Sequence, residues 1–87
     1  MLHSYLKINI EGLMEEIIIK NRLKLARVEK DLTQEQLADL VGVTRQTVGL
    51  IEAGKYNPSL KLCLVMSKVL EKGLDQLFWI GDEKNEK

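Results

Sequence analysis

Arg45, Gln46 and Thr47 stand side by side within the run Thr33–Gly54, TQEQLADLVGVTRQTVGLIEAG. A guanidinium carries a planar fork of donors that fits the O6 and N7 acceptors of guanine, and a carboxamide can pair in the same bidentate way with adenine. The Thr47 hydroxyl suits a phosphate or a base edge, and Leu50, one helical turn on, could meet a thymine methyl. Gly49 between them costs roughly 1 kcal/mol against alanine inside a helix. It is open to two readings: close approach of the helix to a groove or backbone, or drift at an exposed site. Upstream, Gln34 stands at a helix start, where free N–H groups and its own amide could hold a phosphate. Downstream, Lys55, Tyr56 and Asn57 form a loop segment that could clamp a second phosphate. These are side chains suited to the base edges and backbone of a nucleic-acid duplex.

Such groups work only if rigid elements hold them. Thr33 is a good N-cap with Gln36 three residues later, the spacing of a capping box, and Leu32 and Leu37 are placed to close a hydrophobic staple. The short helix that follows has Leu37, Ala38 and Val41 on one side and Gln34, Glu35 and Asp39 on the other, and Gly42 suits the left-handed residue that ends it. Thr44 caps a second helix, in which Val43 and Val48 repeat the staple spacing, Val48 and Ile51 point inward, and Gly54 is the stop. Two short helices around so tight a turn form a helix-turn-helix, with the small Ala38 at the crossing and Gly42 free to take positive φ. Arg45, Gln46, Thr47, Gly49 and Leu50 are left facing outward.

The flanks are read in the same way. Tyr5–Glu11 alternates apolar and polar residues like a half-buried strand, with Gly12 as its stop, and Met14 offers a second start to the chain. Glu15–Ile19 fits a strand or the first turns of a long helix, and its β-branched run leans towards the strand. Lys20–Lys30 is expected to be a helix with Leu23 and Ala26 inward, ended at Asp31, where glycine would be easier. Leu25 and Val28 make a second apolar stripe on it, for the N-terminal segment or a second subunit to cover. Pro58 marks a loop, and Ser59 caps an expected helix Leu60–Lys72 with Leu60, Cys63, Ser67 and Leu70 on one face. Leu62, Val65 and Val69 add a further stripe, so that helix should be buried on more than one side. Gly73 breaks it, Leu74–Trp79 is expected as a last short helix, and GDEKNEK is a solvated tail.

With 87 residues, the chain is long enough for one domain. Its single cysteine excludes an internal disulfide and a cysteine-ligated metal cluster; Cys63 reads as a small core residue. No His/Cys/Asp cluster, glycine-rich phosphate loop or paired carboxylate site is visible, so neither an enzyme nor any cofactor or metal is expected. No apolar run approaches a bilayer span, and the start lacks a signal-peptide pattern, so a cytoplasmic location without membrane contact is expected. The formal net charge is zero, but it divides unevenly. Residues 1–19 hold one basic and three acidic residues, residues 20–62 eight and five, and residues 63–87 four and five. Positive charge therefore gathers on and beside the helix-turn-helix, as a phosphate-facing surface requires.

Thr33-Gln34-Glu35-Gln36-Leu37-Ala38, Gly42-Val43-Thr44-Arg45-Gln46-Thr47, Ile51-Glu52-Ala53-Gly54-Lys55 and Asn57-Pro58-Ser59-Leu60 together resemble the Cro/C1-type helix-turn-helix family, also called the XRE family. The resemblance covers about residues 20–78. It implies an all-α, compact five-helix bundle like the lambda repressor DNA-binding domain, here with an N-terminal extension that can include a short strand. The expected organisation is an extension over 1–19, the DNA-binding domain over 20–80 and a tail over 81–87. The resemblance also implies sequence-specific binding of duplex operator DNA as a two-fold homodimer, in a small transcriptional regulator, most simply a repressor. It puts base reading on Arg45, Gln46, Gly49 and Leu50, and phosphate contacts on Gln34, Thr47, Lys55, Tyr56 and Asn57, with Thr44 capping the reading helix over 44–53. Glu52 would brace the fold, pairing with a base such as Arg27. Three features depart from the family pattern: Gly49-Leu50 for the polar residues common there, Glu71-Lys72-Gly73 in place of a Gly-x-Ser turn, and the N-terminal extension. The copies would pair through the last helices and Phe78–Ile80. A role as a protein-interaction module, such as an antitoxin, would instead use Leu25/Val28 or Leu62/Val65/Val69.

Overall fold

The computed structural model describes residues 17–81, together with Gly12. A strand, five helices and a closing strand follow in order: β1 (Ile18–Asn21), α1 (Leu23–Glu29), α2 (Gln34–Val41), α3 (Arg45–Glu52), α4 (Leu60–Leu70), α5 (Leu74–Leu77) and β2 (Phe78–Gly81). The expected strand at Tyr5–Glu11 and most of the C-terminal tail lie outside the described residues.

The helix boundaries in the middle of the chain are set by local chemistry. The Thr33 hydroxyl accepts the Gln36 N–H at 3.0 Å and the Gln36 carboxamide oxygen accepts the Thr33 N–H at 2.9 Å, so the capping box at α2 is complete. Thr44 accepts from Thr47 N at 3.2 Å and Ser59 from Leu62 N at 3.1 Å, which starts α3 and α4 at the expected caps. Gly42, with φ at 85°, ends α2 in the left-handed region, and its N–H returns to the Ala38 carbonyl at 2.8 Å. Two non-glycine residues take the same conformation: Asp31 after α1 (φ 58°) and Glu71 after α4 (φ 57°).

Leu23 and Ala26 of α1, Leu37 and Ala38 of α2, Val48 and Ile51 of α3, Met66 and Leu70 of α4, and Leu77 of α5 form one buried cluster. Each helix contributes to it, so no helix is held by propensity alone. Leu77 is the one buried residue of the four-residue α5 and fixes its docking.

Three expectations are corrected. The fold is not purely α: β1 and β2 pair antiparallel, Ile18 with Gly81 through Asn21 with Phe78, in a two-stranded ribbon. The first helix begins at Leu23 rather than Lys20, because Lys20 and Asn21 belong to the ribbon and the Asn21 side chain accepts the Leu23 N–H at 3.0 Å, capping α1. The last helix stops at Leu77 rather than Trp79; Phe78, Trp79 and Ile80 are aromatic and β-branched, and in the ribbon their backbone finds a partner strand. In addition, α4 ends at Leu70 because Glu71 turns left-handed two residues before Gly73, and Gly73 instead caps α5, donating its N–H to the Gln76 side chain at 2.6 Å. The side of α4 that meets the core also differs. Leu60, expected on the core face, is 67% exposed, whereas Leu62 and Val69 of the further stripe pack against the core with Val65 half-buried beside them, as a helix buried on more than one side requires.

Exposed ion pairs Lys30–Glu71 and Lys72–Glu29 link the end of α1 to the end of α4. The hydrogen bond and charge of Lys30 hold the Glu71 carboxyl below its ordinary value. That pair therefore contributes at neutral pH and is lost as acid titrates Glu71, and surface pairs of this kind contribute little.

Asp31 makes no side-chain hydrogen bond or ion pair among the described residues and holds a left-handed backbone at φ 58°. Asp31→Gly removes that strain and should raise the free energy of unfolding by about 0.5–1 kcal/mol. Urea denaturation of the two proteins checks it, and an unchanged or lower midpoint would contradict the assignment.

Candidate nucleic-acid interface

The position of α3 is decided by its inward side. Val48 is fully buried and Ile51 is 1% exposed, and helical geometry turns Gln46 and Leu50 to the opposite side. Arg45 and Gln46 are exposed, Leu50 is partly so, and Thr47 and Gly49 are half-buried on the flanks of the same face. Gln46 makes no hydrogen bond among the described residues, so its carboxamide is free. The Thr44 hydroxyl is not free: it accepts the Thr47 N–H and lies 3.0 Å from the Thr47 hydroxyl. Thr44 therefore sets the start of α3.

Behind this face runs a chain of polar contacts. The Arg27 guanidinium donates to both carboxylate oxygens of Glu52, from Nε at 2.7 Å and from Nη2 at 3.2 Å. The two side chains are only 10% and 6% exposed. The third arm of Arg27, Nη1, donates to the Leu32 carbonyl at 2.8 Å, between α1 and α2. Glu52 Oε1 also accepts from Gln34 Nε2 at 3.0 Å, and Gln34 Oε1 accepts from Arg45 Nη1 at 3.2 Å. Thus α1, α2 and α3 are joined by one network that starts at a buried ion pair and ends on the exposed guanidinium of Arg45. Among the described residues no buried side-chain polar atom lacks a partner.

Gln34 also covers Gly49. A methyl group at Gly49 would stand 3.6 Å from Gln34 Nε2, which is ordinary contact. Packing inside the protein therefore leaves room for alanine and does not account for the glycine. Lys55, Tyr56 and Asn57 are all exposed in the loop after α3, where Gly54 turns left-handed at φ 74°. The Lys55 N–H returns to the Leu50 carbonyl at 2.9 Å, which ties the loop to the end of the helix.

A helix-turn-helix family model matches residues 23–77, which spans all five helices. The chain belongs to the Cro/C1-type helix-turn-helix family. That is a family of DNA-binding transcription regulators and not of enzymes. The helix-turn-helix-type transcriptional regulator YgzD of Bacillus subtilis is 43% identical over 65 residues, which cover 75% of this chain and 98% of that protein. One from Methanocaldococcus jannaschii is 44% identical over 66 residues, covering 76% of this chain and all of its own length. Among solved structures, the restriction-modification controller protein C.AhdI from Aeromonas hydrophila is 38% identical. That likeness covers 63% of this chain and 80% of the other, with a TM-score of 0.59.

In this Cro/C1-type chain the structure brings Arg45, Gln46, Gly49 and Leu50 to one face, with Lys55, Tyr56 and Asn57 in the loop following the same helix. Gln34 differs from the sequence reading in one respect: its amide is engaged with Glu52 and Arg45, so the freer donors at that end of α2 are backbone N–H groups. The resemblance anticipated the Arg27–Glu52 pair, but not its continuation through Gln34 to Arg45. Nor was the Asn21 side chain anticipated; it donates to the Ile51 carbonyl at 3.0 Å and so ties the ribbon to the end of α3. An asparagine at the junction of a strand and a helix was the only signal available. Cys63 is half-buried at the edge of a surface concavity and lies outside the buried core in which it was expected; burial pushes its thiol up from the ordinary value, which keeps it protonated at neutral pH. Among the described residues no group of three or more His, Cys, Asp or Glu could hold a metal ion, and no helix is long and apolar enough to cross a membrane.

Two stability measurements test this arrangement. Glu52→Ala leaves the Arg27 charge buried without its counter-ion, and should lower the free energy of unfolding by about 3 kcal/mol. A loss below about 1 kcal/mol would show the pair to be an ordinary surface contact. Gly49→Ala should raise stability by up to about 1 kcal/mol through helix propensity. If thermal melting shows a loss instead, the space above Gly49 is smaller than the 3.6 Å contact implies.

Proposed function

We propose that this chain regulates transcription by laying α3 in the major groove of a duplex operator, reading base edges with Arg45, Gln46 and Leu50. The carrying observation is the division of α3: Val48 and Ile51 are locked in the core while Arg45 and Gln46 stand exposed beside each other. Gly49 leaves the helix surface low where it would approach the groove. The N-terminal turn of α2 at Gln34, the Thr47 hydroxyl and Lys55-Tyr56-Asn57 grip phosphates on either side, and Thr44 holds the helix start in register. Binding of this kind carries a strong salt dependence.

The DNA partner is pseudo-palindromic and the protein is a homodimer in this reading. Leu60 and Leu64 of α4 and Ile80 of β2 are 67%, 50% and 70% exposed. Leu60 and Ile80 line one apolar concavity with Cys63, Phe78 and Trp79. A second copy on that face would set two reading helices about 34 Å apart, on successive major grooves of one side of the duplex. Occupying a promoter in that way makes the protein a repressor, acting in the cytoplasm where the operator is.

Selection of bound fragments from a random duplex pool at stated salt tests this, and should return two inverted half-sites. On the selected site Arg45→Ala should cost about 1–3 kcal/mol and relax preference at one base pair. Lys55→Ala should weaken all sequences alike and reduce the salt slope by about one. Equal losses on every sequence for both variants, or a single unrepeated half-site, would overturn the base-reading or the dimer assignment respectively.

A further inference from the structure

We propose that the apolar stripe Leu25/Val28 on α1 is a docking groove for the chain's own N-terminal segment, residues 1–16, held there by its aliphatic side chains and its negative charge. Leu25 and Val28 are 55% and 52% exposed, although they lie one helical turn apart on a helix whose other side is core. They line a concavity of about 400 Å³ together with Asn21, Arg22, Lys24 and Glu52, the last of which is paired with Arg27.

The path to this groove starts where the segment joins the fold. A second concavity, of about 300 Å³, is lined by Ile18, Lys20 and Gly54 and shares Asn21 and Glu52 with the first.

Charge selects this occupant over a second copy. Residues 1–16 carry Glu11, Glu15 and Glu16 against Lys7 alone, and the lining of the groove is basic at Arg22 and Lys24. A two-fold contact on the same patch would instead bring Arg22 and Lys24 against their own copies. The segment also precedes the matched family region, which begins at Leu23, so the family pattern gives it no other place.

Amine cross-linking of the full-length chain tests the assignment, since Lys7 lies in the segment and Lys24 lines the groove. An equal mixture of ¹⁴N- and ¹⁵N-labelled protein is treated with a short bifunctional reagent and digested, and the joined peptides are weighed. A Lys7–Lys24 link within single-label chains is expected. Its yield should fall at least fivefold in Leu25→Asp/Val28→Asp, whose sites are exposed, and equally in Ile8→Asp/Ile10→Asp, which changes no residue of the described buried cluster. Circular dichroism confirms that both variants keep the wild-type helix content. Absence of the link, an unchanged yield in either folded variant, or a link found mainly between differently labelled chains would overturn the proposal.

Discussion

The buried pair between Arg27 and Glu52 is the constraint from which the rest of the arrangement follows. Two opposite charges, each about nine-tenths withdrawn from solvent, are tolerable only with every donor and acceptor satisfied. Arg27 meets that demand with three bonds, two to Glu52 and one to the Leu32 carbonyl, and Glu52 accepts a third bond from Gln34. Apolar packing alone would let three short helices slide over one another at modest cost. A bidentate guanidinium–carboxylate contact accepts only a narrow range of distances and angles, so it fixes where α3 lies against α1. The core clusters around this contact, with Leu23 and Ala26 from the helix of Arg27 and Val48 and Ile51 from the helix of Glu52.

The ribbon applies a second constraint at the end of α3. Asn21 donates to the Ile51 carbonyl near the end of α3, and the Arg22 N–H donates to the Leu77 carbonyl at the end of α5. The Arg22 guanidinium lies 4.8 Å from the centre of the Trp79 ring. A short two-residue stretch thus ties α3, the last helix and both strands together. A two-stranded ribbon is marginal alone, and here the bundle beneath it supplies the missing support.

The parts of the fold that were legible in the sequence are those decided within four residues. Thr33 with Gln36, Thr44 with Thr47, Ser59 with Leu62 and Gly42 after Val41 are local bargains between a side chain and the nearest backbone, and each stands where the sequence placed it. The ribbon was not legible, because Ile18 and Gly81 come from opposite ends of the described chain and a run such as Phe78-Trp79-Ile80 serves helix and strand alike until its partner is known. The orientation of α4 failed for a related reason. Its residues are apolar around most of the circumference, so although Leu70 meets the core as expected, composition could not say that Leu60 on the same expected face would stay exposed. The outward face of α3 was legible because Val48 and Ile51 fix it by elimination. The link from Glu52 to Gln34 and on to Arg45 joins residues 18 and 11 positions apart, a spacing without local meaning.

That link bears on how Arg45 can act as a reader. A free arginine loses rotamer freedom when it is immobilised at an interface, a cost of about 0.5–1.5 kcal/mol. Here the Gln34 carboxamide already holds Nη1, and Gln34 is itself held by a carboxylate that cannot move without breaking the buried pair. Only one of the five guanidinium N–H groups is spent in this way, and the edge formed by Nε and Nη2 stays open. A bidentate contact to guanine needs two donors on one edge. Arg45 can therefore keep its tether and still present a full edge, so part of the ordering cost is met before DNA arrives. Gln46 beside it has no such tether and must be ordered on binding. In the proposed reading the two neighbours therefore differ in how much a matching base pair would return: the tethered arginine would yield more of its contact energy as affinity than the free glutamine.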